Sequence, residues 1–149
     1  MKNLVLSVFI GLFLMGCAAT TPKISNTKTG KPEIVIHKPA RLIKPHLISD
    51  AVDRGFTLKK DSDYLIEFSR KPKIGMESLT AGLQGNRYSN NTIELQYTLV
   101  ETAGKTRVIA TMSTQSVMPF GRVNKTESNG ANTFNSIQGF FNDLKAKLQ

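Results

Sequence analysis

The chain has 149 residues, 20 basic and 11 acidic side chains, a formal charge of +9, two histidines, one cysteine and no tryptophan. That length suits one domain. A single cysteine excludes any intramolecular disulfide, so packing must hold the fold together. Two histidines and one cysteine leave no clustered ligand set for a transition metal, and no metal or other cofactor is expected.

The first element is an export signal. Lys2 supplies a positive start, and residues 4–15 form an apolar run broken only by Ser7 and Gly11. Such a run is shorter than the ~20 residues a membrane span needs. With the small residues Gly16, Cys17, Ala18 and Ala19 behind it, the segment reads as a signal peptide over residues 1–16. Leu14-Met15-Gly16-Cys17 resembles the lipobox of bacterial lipoproteins. That resemblance implies cleavage before Cys17 and a diacylglycerol on its sulfur, with a further acyl chain such as palmitate on the new amino terminus. The thiolate is the nucleophile such chemistry needs. More than one chain is required, because a single one binds a bilayer only marginally. Ala18 stands where lipoproteins retained at the inner membrane commonly carry aspartate, so the resemblance implies a lipid-anchored protein at the periplasmic side of the outer membrane.

Residues 17–32 read as a flexible basic tether. They are rich in Thr, Lys, Ser, Asn, Gly and Pro, and bury too little apolar surface to offset chain entropy. Residues 17–44 hold six basic groups against one acidic, whereas residues 45–149 hold thirteen against ten. The cationic excess therefore sits beside the anchor, where it favours anionic head groups. Nucleic acid is another partner of basic chains, but neither a recognition helix nor an aromatic ribonucleoprotein motif is present, and none is expected here.

A single domain follows over residues 33–149. Glu33-Ile34-Val35-Ile36-His37 reads as a short strand stopped by Pro39. Pro45 suits the first turn of a helix whose Leu47, Ile48, Ala51 and Val52 share a face, with Gly55 closing it in the left-handed conformation. Tyr64, Ile66 and Phe68 then alternate with polar neighbours, as in a half-buried strand. Residues 74–91 read as a long connection, of the kind that is often functional. Ile93, Leu95, Tyr97 and Leu99 alternate next, a turn falls at Ala103-Gly104-Lys105, and Val108, Ala110 and Met112 continue on the other arm of a hairpin. Residues 120–130 look polar and loop-like. Asn132 or Thr133 can cap a final helix, with Phe134, Ile137, Phe141, Leu144 and Leu148 as its stripe, and Gly139 is expected to let it approach the sheet closely. The sum is an α+β fold of two layers: a mostly antiparallel sheet of about four strands, with two helices on one face.

Arg54-Gly55-Phe56, Asp63-Tyr64 and Glu101-Thr102-Ala103-Gly104-Lys105 resemble the pattern of a group of small bacterial outer-membrane lipoproteins of uncharacterised function. There a helix ends in an Arg-Gly-Phe-like turn, a strand with Asp-Tyr or Asp-Leu follows, a hairpin carries an acid, two variable residues and Gly-Lys, and a helix closes the chain. The resemblance spans residues 33–148 and implies an α+β fold without catalytic residues. Lipoproteins that assist lipopolysaccharide export have a similar architecture.

Catalytic chemistry finds little support. His46, Ser49 and Asp50 lie close in sequence, but a nucleophile needs an orienting base and an oxyanion site, and a helix places His46 and Asp50 as an ordinary surface pair. No Gly-X-Ser-X-Gly turn or P-loop occurs. Arg70, Lys71, Lys73 and Arg87, with Tyr88, bracket the long connection and are the candidate contacts for a partner or an anionic ligand. The expected function is a non-catalytic interaction or assembly module with an envelope protein partner, anchored to membrane lipid through Cys17. A binder of an anionic envelope ligand (lipid, lipopolysaccharide or peptidoglycan) is the alternative, and an enzyme the third.

Overall fold

A computed structural model describes residues 27–72, 91–117, 119–128 and 130–149. The expected signal peptide, Cys17, and Lys73, Arg87 and Tyr88 in the long connection lie outside these described residues. The described elements run β1 (Glu33–Ile36), α1 (Ala40–Asp53), β2 (Thr57–Asp61), β3 (Leu65–Arg70), β4 (Asn91–Thr102), β5 (Lys105–Val117), β6 (Val123–Glu127) and α2 (Ala131–Leu148).

The fold is α+β, with two helices and one antiparallel sheet of six strands ordered β1-β5-β4-β3-β2, β6 pairing with the far part of β5. The expectation of about four strands is therefore corrected to six. The two strands without a counterpart in the sequence reading, β2 and β6, are exposed at every position. They line sheet edges and lend no residue to the core, so neither shows apolar alternation. β6 lies inside the stretch expected to be loop.

β4 and β5 form the spine. Leu95, Tyr97 and Leu99 face Met112, Ala110 and Val108 across the ladder, and of these all but Met112 are buried. Their turn needs left-handed backbone at both central residues, Ala103 (φ 49°) and Gly104 (φ 72°), the geometry that suits the twist of a two-residue hairpin. Ile66 and Phe68 of β3 join the same face beside Tyr97 and Leu95, whereas Tyr64 lies outside β3 and is exposed, contrary to the alternation expected for it.

α1 begins five residues before Pro45, which sits inside the helix. Pro39 precedes it without a side-chain cap. The missing cap comes from elsewhere: the Glu101 carboxylate accepts the Ala40 N–H at 2.8 Å, a favourable place for negative charge. Ala40, Ile43, Leu47 and Ala51 form the buried stripe, while Val52 is exposed. The C-terminus closes as a Schellman motif. The Phe56 N–H donates to the Ala51 carbonyl at 3.0 Å, and the Gly55 N–H to that of Val52 at 2.8 Å, with Gly55 at φ 80°.

α2 buries Phe134, Ile137, Phe141 and Leu144, with Leu148 partly covered. Its first residue follows Gly130 and no side-chain cap forms, so Asn132 and Thr133 do not act as caps. Ile137, Phe141 and Leu144 join α1 and one face of the sheet in a single cluster. Each fully buried aliphatic or aromatic side chain there contributes about 1.5–3 kcal/mol. Gly139 does not mediate a close approach, for a Cβ there would meet nothing within 4 Å.

The expected tether is held to the fold from residue 27 onward. The Pro32 carbonyl accepts the Ala110 N–H at 2.9 Å, Thr27 Oγ1 donates to the Lys31 carbonyl at 2.6 Å, and Lys31 Nζ reaches Glu127 at 2.9 Å.

Candidate functional site

One face of the sheet carries the core; the other is polar. Cross-strand registers lay out its rows: Glu67, Gln96 and Thr111; then Ser69, Glu94, Ser113 and Glu127; then Thr92, Gln115 and Lys125. The pleat sends alternate residues to this side. All of these but Glu127 line an open groove of about 600 Å³. Lys59 from β2 and Lys125 from β6 stand on its two sides, and Arg70 and Lys71 line it where β3 ends. Four basic residues thus line the groove against two acidic ones, Glu67 and Glu94. Glu94 is already engaged by Lys125 Nζ at 2.7 Å. Lys31 Nζ also reaches Thr111 Oγ1 at 3.3 Å.

Of the proposed contact residues, Arg70 and Lys71 are described and share this groove. They do not act as a matched pair. As successive residues at a strand end they diverge: the Arg70 guanidinium lies 4.8 Å over the Phe56 ring, while Lys71 is exposed. The connection bearing Lys73, Arg87 and Tyr88 leaves and re-enters the sheet at this end, between Lys71 and Thr92. Lys59 and Lys125 were not singled out in the sequence, because their strands carry no hydrophobic period to reveal which way they face.

A second open groove of about 600 Å³ runs between the helices, where His46, Ser49 and Asp50 meet Asn135, Ser136 and Phe140. The Asp50 carboxylate does not orient His46. It accepts from Arg54 Nε at 3.0 Å, and Arg54 also lies 5.4 Å over the Phe140 ring. Arg54-Gly55-Phe56 is thereby explained structurally: Arg54 fastens α1 to α2, Gly55 makes the turn, and Phe56 is buried. Beneath this junction, burial pushes the Tyr97 phenol well above its ordinary value of 10.0; the Asp50 charge adds to the rise and Arg54 opposes it. Tyr97 therefore stays protonated as a packing group. A smaller cavity of about 90 Å³ lies between β5 and α2, near Met112 and Phe134.

Among the described residues no helix is long and apolar enough to cross a membrane. No family model, curated protein or solved structure matches this chain.

Proposed function

We propose that this chain is an exported lipoprotein, anchored through acyl chains on Cys17 at the periplasmic side of the outer membrane, and that it works there as a non-catalytic interaction or assembly module. The observation that carries the anchoring is Leu14-Met15-Gly16-Cys17 directly behind a short apolar run. Taken as two layers, the domain commits both helices to one sheet face, and among the described residues no helix covers the opposite, polar face, the one offered to an envelope protein partner. No catalytic step is assigned to any residue.

Lys59 and Lys71 on the groove, beside the Lys125–Glu94 pair, favour a second reading in which the occupant is an anionic envelope ligand: lipid, lipopolysaccharide or peptidoglycan. A photo-crosslinking side chain at Gln96, on the groove floor, tests both against one at Asp143, on the exposed side of α2. A protein adduct specific to position 96 supports the module; a lipid or glycan adduct there supports the ligand binder. Equal labelling at both positions counts against the groove as the site. The anchor is tested separately. Cys17→Ser should abolish palmitate incorporation and release the protein from membranes, and continued labelling would refute acylation at this residue.

A further inference from the structure

The hairpin joining β5 to β6 has an unusual tip. Val117 and Val123 face each other across the ladder, and both are exposed. Between them Phe120 is fully exposed, at 103% of its reference area, and its backbone sits at φ 67°. A bulky aromatic residue is rarely found in that left-handed region. No described residue covers the ring, and backbone strain of this kind is concentrated at functional positions. Two valines and an aromatic ring are thus exposed at one end of the sheet.

Charge at that end is one-sided. On the sheet beyond the row of Ser69, Glu94, Ser113 and Glu127, the charged residues among those described are Arg70, Lys71, Arg122 and Lys125. All are basic. Lys125 is paired with Glu94 and the Arg70 guanidinium lies over Phe56, which leaves Lys71 and Arg122 exposed at that end. An apolar tip with cations on the same end of the sheet complements the head groups and outer acyl region of an anionic bilayer.

The tether root lies close enough to matter. Lys31 is fixed to Glu127 at 2.9 Å, at the other end of β6 from Val123. Four residues of strand span about 13 Å at roughly 3.3 Å each. The ten residue steps from Cys17 to Thr27 can span at most about 35 Å. The anchor and the hairpin tip can therefore enter the same leaflet together.

We propose that Val117, Phe120 and Val123 form a membrane-docking tip that inserts into the leaflet holding the acyl chains of Cys17, fixing the orientation of the domain. The proposal rests on acylation of Cys17. Docking sets the β4–β5 turn away from the bilayer and holds the polar groove beside it, at a fixed height.

The chain contains no tryptophan, so one introduced indole reports its own surroundings. Phe120→Trp and, at the far end of the sheet, Tyr64→Trp are made separately in the acylated mature protein. Each is mixed with vesicles of phosphatidylethanolamine and phosphatidylglycerol, with and without brominated acyl chains, and the vesicles are sedimented. Expected are pelleting of both variants, a blue shift and loss of most emission to the brominated chains at position 120, and neither effect at position 64. Pelleting with position 120 still open to aqueous iodide overturns the tip while leaving the anchor intact. Protein that stays in the supernatant and carries no acyl mass at Cys17 overturns both. Shielding of position 120 in the Cys17→Ser protein without vesicles, growing with protein concentration, shows that a second copy covers the tip and also overturns docking.

Discussion

The side chain of Gln138 in α2 bonds both backbone groups of Glu33 in β1: Oε1 accepts the Glu33 N–H at 3.1 Å, and Nε2 donates to the Glu33 carbonyl at 3.1 Å. Glu33 stands opposite Ile109 while its neighbour Pro32 bonds Ala110, so in the alternating antiparallel ladder the Glu33 amide and carbonyl point outward. One helix side chain thus takes the place of a neighbouring strand and blocks the β1 edge against pairing. Gln138→Ala should cost about 1–3 kcal/mol, the penalty of two poorly satisfied backbone groups. Denaturant unfolding measures the loss. An unchanged midpoint would show that water replaces the amide at no cost.

The Glu33 side chain predicts the acid limb of the stability curve. Burial works to raise its carboxyl, but hydrogen bonds from Arg107, Thr29 and the Lys28 N–H, with the Arg107 charge, hold it below the ordinary 4.5. Arg107 Nη2 lies 2.6 Å away. Because the folded value is depressed, its stabilising contribution is full above pH 4.5 and disappears as pH falls through the lower folded value. Glu33→Gln should lower the melting temperature at neutral pH and flatten its dependence below that point. An identical acid slope in the variant would assign the limb to other carboxylates.

Two glycines should respond to alanine with opposite signs. Gly55 sits at φ 80° with open space around it, so Gly55→Ala meets no clash but must adopt left-handed backbone, at a cost of about 1–2 kcal/mol. Gly139 lies in the interior of α2, also with nothing near a would-be Cβ. Gly139→Ala should stabilise by about 0.5–1 kcal/mol through helix propensity alone. Thermal unfolding of the pair decides it, and destabilisation by the second substitution would mean that Gly139 needs the space.

Tyr97 sets an alkaline limit. Its folded value is raised above the ordinary 10.0, so its contribution is complete below pH 10 and erodes as pH rises toward the folded value. Tyr97→Phe should keep the packing against Phe68 and Phe141, whose ring centroids both lie 6.0 Å away, and should remove that part of the alkaline loss. Unfolding midpoints from neutral pH to above pH 10 for both proteins test this, with equal alkaline loss as the contrary result.

How much of this was legible beforehand depended on burial. The apolar alternation through Leu95, Tyr97 and Leu99, and the stripe of Phe134, Ile137, Phe141 and Leu144, declared themselves because half-buried elements need a period that matches their geometry. Gly55 was readable as a helix stop because only the left-handed region closes a Schellman turn cheaply. β2 and β6 were not readable, since an exposed edge strand is specified by its neighbour's hydrogen bonds and not by its own side chains. The groove was half legible. Arg70 and Lys71 stood out as charges beside a long connection, but their divergence, and the arrival of Lys59 and Lys125, depended on pairing between distant segments.

The amino-acid order by itself determined the elements whose information is local: the apolar run ending in Cys17, the alternating hairpin, the amphipathic final helix. Tertiary structure alone decided that Glu101 caps α1, that Gln138 seals β1 and that Phe120 is left in solvent. Each of those depends on which backbone groups and side chains remain unsatisfied once the chain has closed on itself. That is a property of contacts between residues far apart in sequence, and no short window of residues contains it.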